Sequence, residues 1–151
     1  MLNWLKNQTL ENWANAPIVN DGETVIDAPA AEIFERLDLA SPSNALRQRG
    51  FTFGAGNPAY DIFEASDPDQ PDVTLVFEVT ESRPRKRYCY RTTARSTDKH
   101  CAVTESSCEF TIVPQKDGRH LLHLQETSTL TPGLDRNQYI LERAKLNFSV
   151  F

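Results

Sequence analysis

Residues 73–91 read VTLVFEVTESRPRKRYCYR, and this stretch sets the fold class of the chain. Apolar residues occupy every second position from Val73 to Val79, which is the period of a strand with one buried face. The RPRK segment is typical of a turn, and Tyr88 and Tyr90 then alternate with polar neighbours. Two strands joined by a tight turn predict an antiparallel hairpin.

Further segments on both sides of this hairpin follow the same period of two. Turn-forming residues separate them, with DPDQPD at 67–72 and PQKDG at 114–118. Short, regularly spaced strands with hairpin-length connections predict an antiparallel meander. Besides the strand around 73–80, the predicted strands are Tyr60–Ala65, Arg87–Thr93, Ala102–Val113 and Arg119–Thr129.

The region before the meander predicts one strand and two short helices. The strand covers Glu23–Asp27, and Pro29 opens the first helix, whose apolar positions Ile33, Phe34 and Leu37 recur at helical spacing. The second helix has Ser41 as its N-cap, Pro42 as its first residue and Gly50 beyond its last turn.

Both ends of the chain predict amphipathic helices. Residues 1–16 place Leu2, Leu5, Leu10 and Trp13 on one stripe, and Pro17 closes this N-terminal arm. Near the other end, Asp135 is a fair N-cap. One face of the helix that follows carries Leu141, Ala144, Phe148 and Phe151.

Composition bounds the class of protein. The chain has 151 residues, 39% of them hydrophobic, a net charge of −5 and a pI near 5.2. These values predict one acidic globular domain and argue against a nucleic-acid or anionic-membrane binder. Three cysteines without a C-x-x-C motif predict no disulfide framework and no zinc site. With no signal-peptide pattern and no long apolar run, we expect a cytoplasmic protein.

Three segments together resemble the START-like (SRPBCC) superfamily. ETVIDAPAAEIFERL at 23–37 is similar to its first strand, "AP" turn and helix, and TESRPRKRYCYR at 80–91 to its third-to-fourth strand turn. SSCEFTIVPQKDGRHLLHL at 106–124 resembles its late hairpin. The resemblance implies an α+β helix-grip fold for residues 17–151, a curved antiparallel sheet wrapped around a long C-terminal helix. It also implies a cavity between sheet and helix that holds lipids, sterols or polyketides.

Strand parity selects candidate ligand-binding residues. The face assigned inward includes Val79, Ile112 and the candidates Phe77, Tyr88, Tyr90, Ser106, Cys108 and Phe110, with Leu141, Ala144 and Phe148 opposite them on the closing helix. These side chains either fill a solid core or line a pocket.

Catalytic candidates are few. His123 shares a face with Leu121, Glu126 shares the other with Leu122, and periodicity leaves open which set points inward. His120 and His123 point to opposite faces of a strand and cannot share a metal ion, so we expect neither a metal nor a cofactor. The sequence also lacks the G-x-S-x-G, H-E-x-x-H and Gly-rich phosphate-binding motifs.

One basic cluster, Arg83, Arg85, Lys86 and Arg87, favours a solvated turn over a phosphate site. We therefore expect a protein that binds a hydrophobic small molecule without covalent chemistry. The alternatives are a polyketide cyclase or dehydrase that uses the same cavity, and a co-chaperone-like interaction module whose partner contacts Trp4 and Trp13.

Overall fold

The structure is a computed structural model that describes residues 17–54, 56–96 and 103–130. Within these residues the helices are α1 (Ala30–Leu37) and α2 (Ala45–Gln48), with one 3-10 turn at Pro58–Tyr60. The strands are β1 (Ile18–Ile26), β2 (Thr52–Phe53), β3 (Ile62–Asp67), β4 (Gln70–Arg83), β5 (Arg87–Ser96), β6 (Val103–Pro114) and β7 (His120–Leu130).

The described strands form one antiparallel sheet in the order β1-β7-β6-β5-β4-β3-β2. The strands from β2 to β7 are neighbours in chain order, which confirms the predicted meander and the α+β class. The first strand lies beside the last one, because Ile18 pairs with Ser128 and Ile26 with His120. This pairing joins the two ends of the described sequence and keeps β7 away from the sheet edge.

Helix α1 packs on one face of the sheet, which we call the inner face; the opposite side is the outer face. Ile33, Phe34 and Leu37 of α1 are buried against strand residues. On the sheet side this core includes Phe63, Ala65, Phe77, Tyr88, Cys108, Phe110, Ile112, Leu122 and Leu124. Their burial is the main source of stability available to a sheet of this size.

A hydrogen bond ties the connection after α1 to the centre of the sheet. The Leu39 backbone N–H donates to the Tyr88 hydroxyl oxygen at 3.0 Å, and both residues are buried. The Tyr88 ring meets the edge of the Phe34 ring at a centroid distance of 5.7 Å. A phenol that is buried and hydrogen-bonded in this way fixes the height of α1 over β5.

Two boundaries before the meander differ from the sequence prediction. Strand β1 begins at Ile18 rather than Glu23, because pairing with β7 extends through Asn20, Asp21 and Gly22, which favour turns in isolation. The predicted cap of the second helix was also wrong.

Asn44, not Ser41, caps α2, since its side-chain oxygen accepts from the Leu46 N–H at 3.0 Å. The Asn44 amide also donates to the Leu37 carbonyl at 3.1 Å, so one buried side chain joins the two helices. Gly50 has a φ of +97°, as expected of a residue just past a helix end.

Strands in the meander are also offset from the prediction at their ends. Strand β3 starts at Ile62, because Tyr60 belongs to the 3-10 turn and is 74% exposed. Strand β4 extends to Arg83 through a bulge between Val79 and Glu81. The bulge adds one residue, and it shifts the later residues of β4 to the parity that the hairpin with β5 requires. The two-residue strand β2 was absent from the sequence prediction.

Both predicted terminal helices lie outside the described residues. This holds for the N-terminal arm with Trp4 and Trp13 and for the closing helix with Leu141, Ala144 and Phe148. Among the described helices, none has the length and apolar character needed to cross a membrane.

Candidate functional site

The inner face carries three successive rows of side chains that run across the strands. The pairing of β5, β6 and β7 defines them, with adjacent rows about 6.6 Å apart along a strand. The apolar row is Tyr88, Phe110 and Leu124. The glutamate row is Tyr90, Cys108, Glu126 and Asn20, and the serine row is Thr92, Ser106, Ser128 and Ile18.

The character of the inner face therefore changes along the strands. At the α1 end, the apolar row and its neighbours Ile112 and Leu122 are buried in the core. Two rows further along, the members of the serine row on β5, β6 and β7 carry hydroxyl groups, and these members are flanked by the buried Ile18 of β1 and Phe77 of β4. The face thus combines an apolar end with a hydrogen-bonding end, which is the general plan of a small-molecule site.

Glu126 is the acidic residue of the glutamate row. Its side chain lies on the inner face, and the residue is only 4% exposed. The Cys108 thiol donates to Glu126 Oε2 at 3.4 Å across the β6–β7 pair. A buried carboxyl group is costly unless hydrogen bonds or ion pairs satisfy it, and the Cys108 thiol is one such partner.

Aromatic rings connect the rows to the β4 side of the sheet. Tyr90 lies at the centre, with its ring centroid 5.3 Å from Phe77, 6.2 Å from Tyr88 and 6.0 Å from Phe110. Phe53 of β2 stacks on Phe77 at 6.5 Å. Tyr90 is only partly buried, whereas Phe77 and Tyr88 are buried in the core. The cluster therefore fills space near α1. The ring of Tyr90, a member of the glutamate row, stays partly accessible.

The structure brings six of the predicted ligand-binding residues to the inner face: Phe77, Tyr88, Tyr90, Ser106, Cys108 and Phe110. The other three, Leu141, Ala144 and Phe148, lie outside the described residues. Among the six, Tyr88 has a structural contact of its own, since its hydroxyl accepts from Leu39. Burial raises the pKa of Tyr88, so this phenol stays neutral across the physiological range.

The two catalytic candidates separate onto opposite faces. His123 Nε2 lies 2.8 Å from Asp21 Oδ1 on the outer face, where Glu23 is its strand partner. Glu126 lies on the inner face with Leu122 and Leu124. The parity left open by the sequence is thus resolved by core packing, and an acid–base role at the inner face cannot be assigned to His123.

Several residues of the rows, Thr92, Ser128 and Asn20 among them, were not candidates in the sequence analysis. Ser128 is 2% exposed and continues the parity of Leu122, Leu124 and Glu126. Asn20 lies before the predicted start of the first strand at Glu23, yet it pairs with Glu126 in the sheet. Leu122 is completely buried, so residues of the same parity on β7 point inward, and this rule identifies Ser128. Asn20 can be placed on the inner face only when β1 is known to pair with β7.

The basic cluster of the β4–β5 turn belongs to the outer face. Arg87 contacts Glu81 at 2.8 Å and Glu109 at 3.3 Å, and Arg83 contacts Glu81 at 2.8 Å. The hydrogen bond from Arg87 lowers the pKa of Glu81. These pairs take up much of the positive charge of the turn, so the structure favours the solvated-turn interpretation.

Two concave regions of the described residues are small. An outer-face groove of about 230 Å³ lies among Val76, Glu78, Arg91, Thr93 and Glu105. A second depression, of about 180 Å³, lies where β1 meets α1. Both are below the roughly 300–1,000 Å³ of typical ligand pockets. In this part of the chain, no three His, Cys, Asp or Glu side chains are grouped to hold a metal ion.

No family model and no curated protein matches the chain. Solved structures do match it. A START superfamily protein from Mycobacterium smegmatis superposes with a TM-score of 0.63 over 87% of this chain and 90% of that one, at 10% identity. The fold is START-like.

Two further structures extend the START-like comparison. A conserved protein from Geobacillus kaustophilus has a TM-score of 0.68 at 14% identity and covers 88% of this chain and 89% of its own. DynU16, from the dynemicin biosynthetic locus, has a TM-score of 0.57 at 15% identity, over 85% of this chain and 42% of that one. At these identities the shared feature is the START-like fold, and function must be argued from the site.

Proposed function

We propose that the protein binds a hydrophobic small molecule, lipid-like or polyketide-like, against the inner face of the sheet. The observation that carries this proposal is the ordered change from the apolar row to the glutamate and serine rows. Buried glutamate and serine side chains are uncommon on a face that serves only as core.

The apolar part of the face supplies affinity. Tyr90 is partly buried and presents aromatic surface beside the buried Phe110, at a centroid distance of 6.0 Å. Removing apolar surface from water contributes about 25 cal/mol per Å², so the gain depends on how much of the Tyr90 ring a ligand covers. The polar rows then orient the ligand, since each hydrogen-bonding group lost without replacement costs about 1–3 kcal/mol.

The START-like neighbours support the proposal at the level of fold. One neighbour belongs to the START superfamily and another comes from a biosynthetic locus. Folds of this type place ligands against the inner face of the sheet, and the rows described here lie on that face. The class of ligand is inferred from the chemistry of the rows.

Native mass spectrometry of the freshly purified full chain tests this function. The expected spectrum contains a non-covalent adduct of a few hundred daltons that disappears when the same sample is denatured. The purified protein is then delipidated and offered decan-1-ol, which should restore an adduct of the alcohol's mass. A chain that carries no adduct and accepts no apolar molecule would contradict the proposal.

Catalysis on the same face is a second candidate, favoured by the buried carboxylate of Glu126. A positioned carboxylate can act as a general base toward a bound polyketide-like substrate. The variant Glu126→Gln should then abolish turnover while His123→Ala, on the outer face, leaves it unchanged. Equal turnover by both variants would remove the candidate, because it rests on the Glu126 side chain.

A further inference from the structure

We infer that one corner of the sheet docks on an anionic lipid membrane. The corner combines an apolar row on the outer face with basic residues in the two turns beside it. We call these six residues the docking corner: Val25, Leu121, Val113, Arg85, Lys86 and Lys116. Docking there is independent of ligand binding at the inner face.

The two turns of the docking corner lie side by side at one end of the sheet. Strands β5 and β6 are paired up to this end, since Arg87 pairs with Thr111 and the Ile112 N–H donates to the Lys86 carbonyl at 2.8 Å. Paired strands are about 4.8 Å apart, so the β4–β5 and β6–β7 turns are close neighbours. Exposed cations from both turns therefore face the same surroundings.

Positive charge is in excess at the docking corner. The other cations of the two turns have acidic partners, Glu81 for Arg83 and Arg87, and Asp117 for Arg119. Asp27 also lies close enough to Arg119 to interact with its charge. Across the described residues, four exposed cations contact no described acidic side chain: Arg49, Arg85, Lys86 and Lys116. Three of these four belong to the docking corner, although the whole chain carries a net charge of −5.

Among the described pairs of β6, β7 and β1, one outer-face row is wholly apolar. Strand pairing places Leu121 between Val113 and Val25, and both valines are exposed. The next row along the same strands is polar and consists of Thr111, His123 and Glu23. An exposed apolar row beside cations suits the interface of a bilayer, where apolar side chains meet acyl chains and cations meet anionic headgroups.

The position of the docking corner favours a membrane over an acidic protein segment. Helical segments commonly bind in a groove, and neither of the two concave regions described above is lined by residues of this corner. An acidic strand added to the edge of β1 would meet the exposed Asp21 and Glu23, and like charges on neighbouring strands repel. Hairpin turns at the end of a sheet can reach a flat lipid surface without a groove.

Vesicle co-sedimentation of the full chain tests the docking. The probes are phosphatidylcholine vesicles with and without about 30 mol% phosphatidylserine. At about 0.05 M salt, partition should be at least about tenfold stronger for the anionic vesicles, since each cation near the surface contributes about fivefold. At about 0.5 M salt the difference should fall several-fold, because ions screen the attraction.

Two triple variants separate the docking corner from overall charge. The first changes three cations of the corner to glutamine, Arg85→Gln, Lys86→Gln and Lys116→Gln. It should bind anionic vesicles at least about tenfold more weakly. The matched control makes the same change in net charge at exposed cations elsewhere, Arg49→Gln, Arg91→Gln and Arg95→Gln. It should stay within about twofold of the wild type, because these cations lie away from the lipid surface.

Two valines of β1 test the apolar row. Val25 belongs to the row, whereas Val19 is exposed on the same face at the other end of the strand. Val25→Thr should weaken binding to anionic vesicles by about threefold, because a hydroxyl replaces a methyl group at the lipid interface. Val19→Thr should leave binding unchanged. Thermal melting checks that all variants are folded.

Equal partition of the wild-type chain to both kinds of vesicle would overturn the docking, and so would equal losses in the two triple variants. Equal effects of the two valine substitutions would overturn the part assigned to the apolar row. Binding to poly-glutamate without binding to anionic vesicles would also overturn the docking, in favour of an acidic polypeptide. Ligand binding at the inner face is measured without vesicles, so failure of one leaves the other standing.

Discussion

The two faces of the same sheet accommodate polar side chains in opposite ways. On the outer face, charges meet in pairs near water, as in Glu78–Arg91 at 3.0 Å and Glu64–Arg95 at 3.5 Å. On the inner face, Glu126 is buried beside a thiol, and no cation belongs to the three described rows. Outer-face charges therefore lie near water and in pairs, whereas the inner-face carboxyl group of Glu126 is packed within the sheet beside Cys108.

The two buried cysteines make the same contrast on a smaller scale. Cys89 lies on the outer face, 3.8 Å from Glu81, under a carboxylate that also pairs with Arg87. Burial raises the pKa of this thiol. Cys108 lies on the inner face against Glu126. Each thiol lies against a carboxyl group. The one beside Cys89, on Glu81, also pairs with Arg87.

The largest effect that tests this contrast comes from adjacent leucines of β7. Leu122 is fully buried on the inner face, whereas Leu121 is partly exposed on the outer face. Leu122→Ala should lower the free energy of unfolding by about 2–5 kcal/mol through lost burial and a residual cavity. Leu121→Ala should cost less than about 1 kcal/mol by comparison. Urea denaturation measures both, and equal losses would contradict the assignment of faces.

Removing the Tyr88 hydroxyl should have a smaller effect. Tyr88→Phe leaves the Leu39 N–H without its acceptor in a buried position, which should cost about 1–3 kcal/mol. Tyr60→Phe is the control, because Tyr60 is 74% exposed and should change stability by less than about 0.5 kcal/mol. A neutral Tyr88→Phe would show that the hydroxyl does not hold the segment after α1.

Alkaline pH should lower the stability of the fold through Tyr88. Burial raises the pKa of its phenol above the ordinary value of 10.0, so the folded state keeps this proton while the unfolded state releases it. Stability is unaffected below that value and falls as pH rises above it, by up to about 1.4 kcal/mol per pH unit. Unfolding titrations between about pH 9 and about pH 11 should show a shallower fall for Tyr88→Phe than for the wild type. Parallel curves would contradict the raised pKa.

The smallest effect is expected from an outer-face ion pair. Arg91 and Glu78 are each about half exposed, and solvent screens their attraction. Arg91→Ala should change the free energy of unfolding by no more than about 0.5 kcal/mol, with little difference between low and high salt. A large loss would mean that the outer face contributes to stability in the way assigned to the inner face.

The meander was predictable because apolar and polar residues alternate within each strand. Val73, Leu75, Phe77 and Val79 specify a buried face without any knowledge of their partners. The same period selected Tyr90, Ser106 and Cys108 as neighbours on one face. The alternation within each strand was therefore enough to predict most of the sheet and the central side chains that share its inner face.

Features that depend on distant pairing were not predictable in this way. The start of β1 at Ile18 and the place of Asn20 beside Glu126 require pairing with a strand about a hundred residues later. The face of His123 required knowledge of which neighbour, Leu121 or Leu122, packs under α1. Asn44 replaced Ser41 as the helix cap because its amide also bonds the end of α1, a contact that no capping rule for a single helix contains.

The most direct test of binding at the inner face uses two adjacent serines of β6. Ser106 points to the inner face in the serine row, and Ser107 points to the outer face. In titrations with decan-1-ol, Ser106→Trp should lower affinity by at least about tenfold, because the indole occupies the place of the ligand. Ser107→Trp should bind as the wild type does. Equal binding by both variants, with both folded, would contradict the central claim that the ligand lies against the inner face.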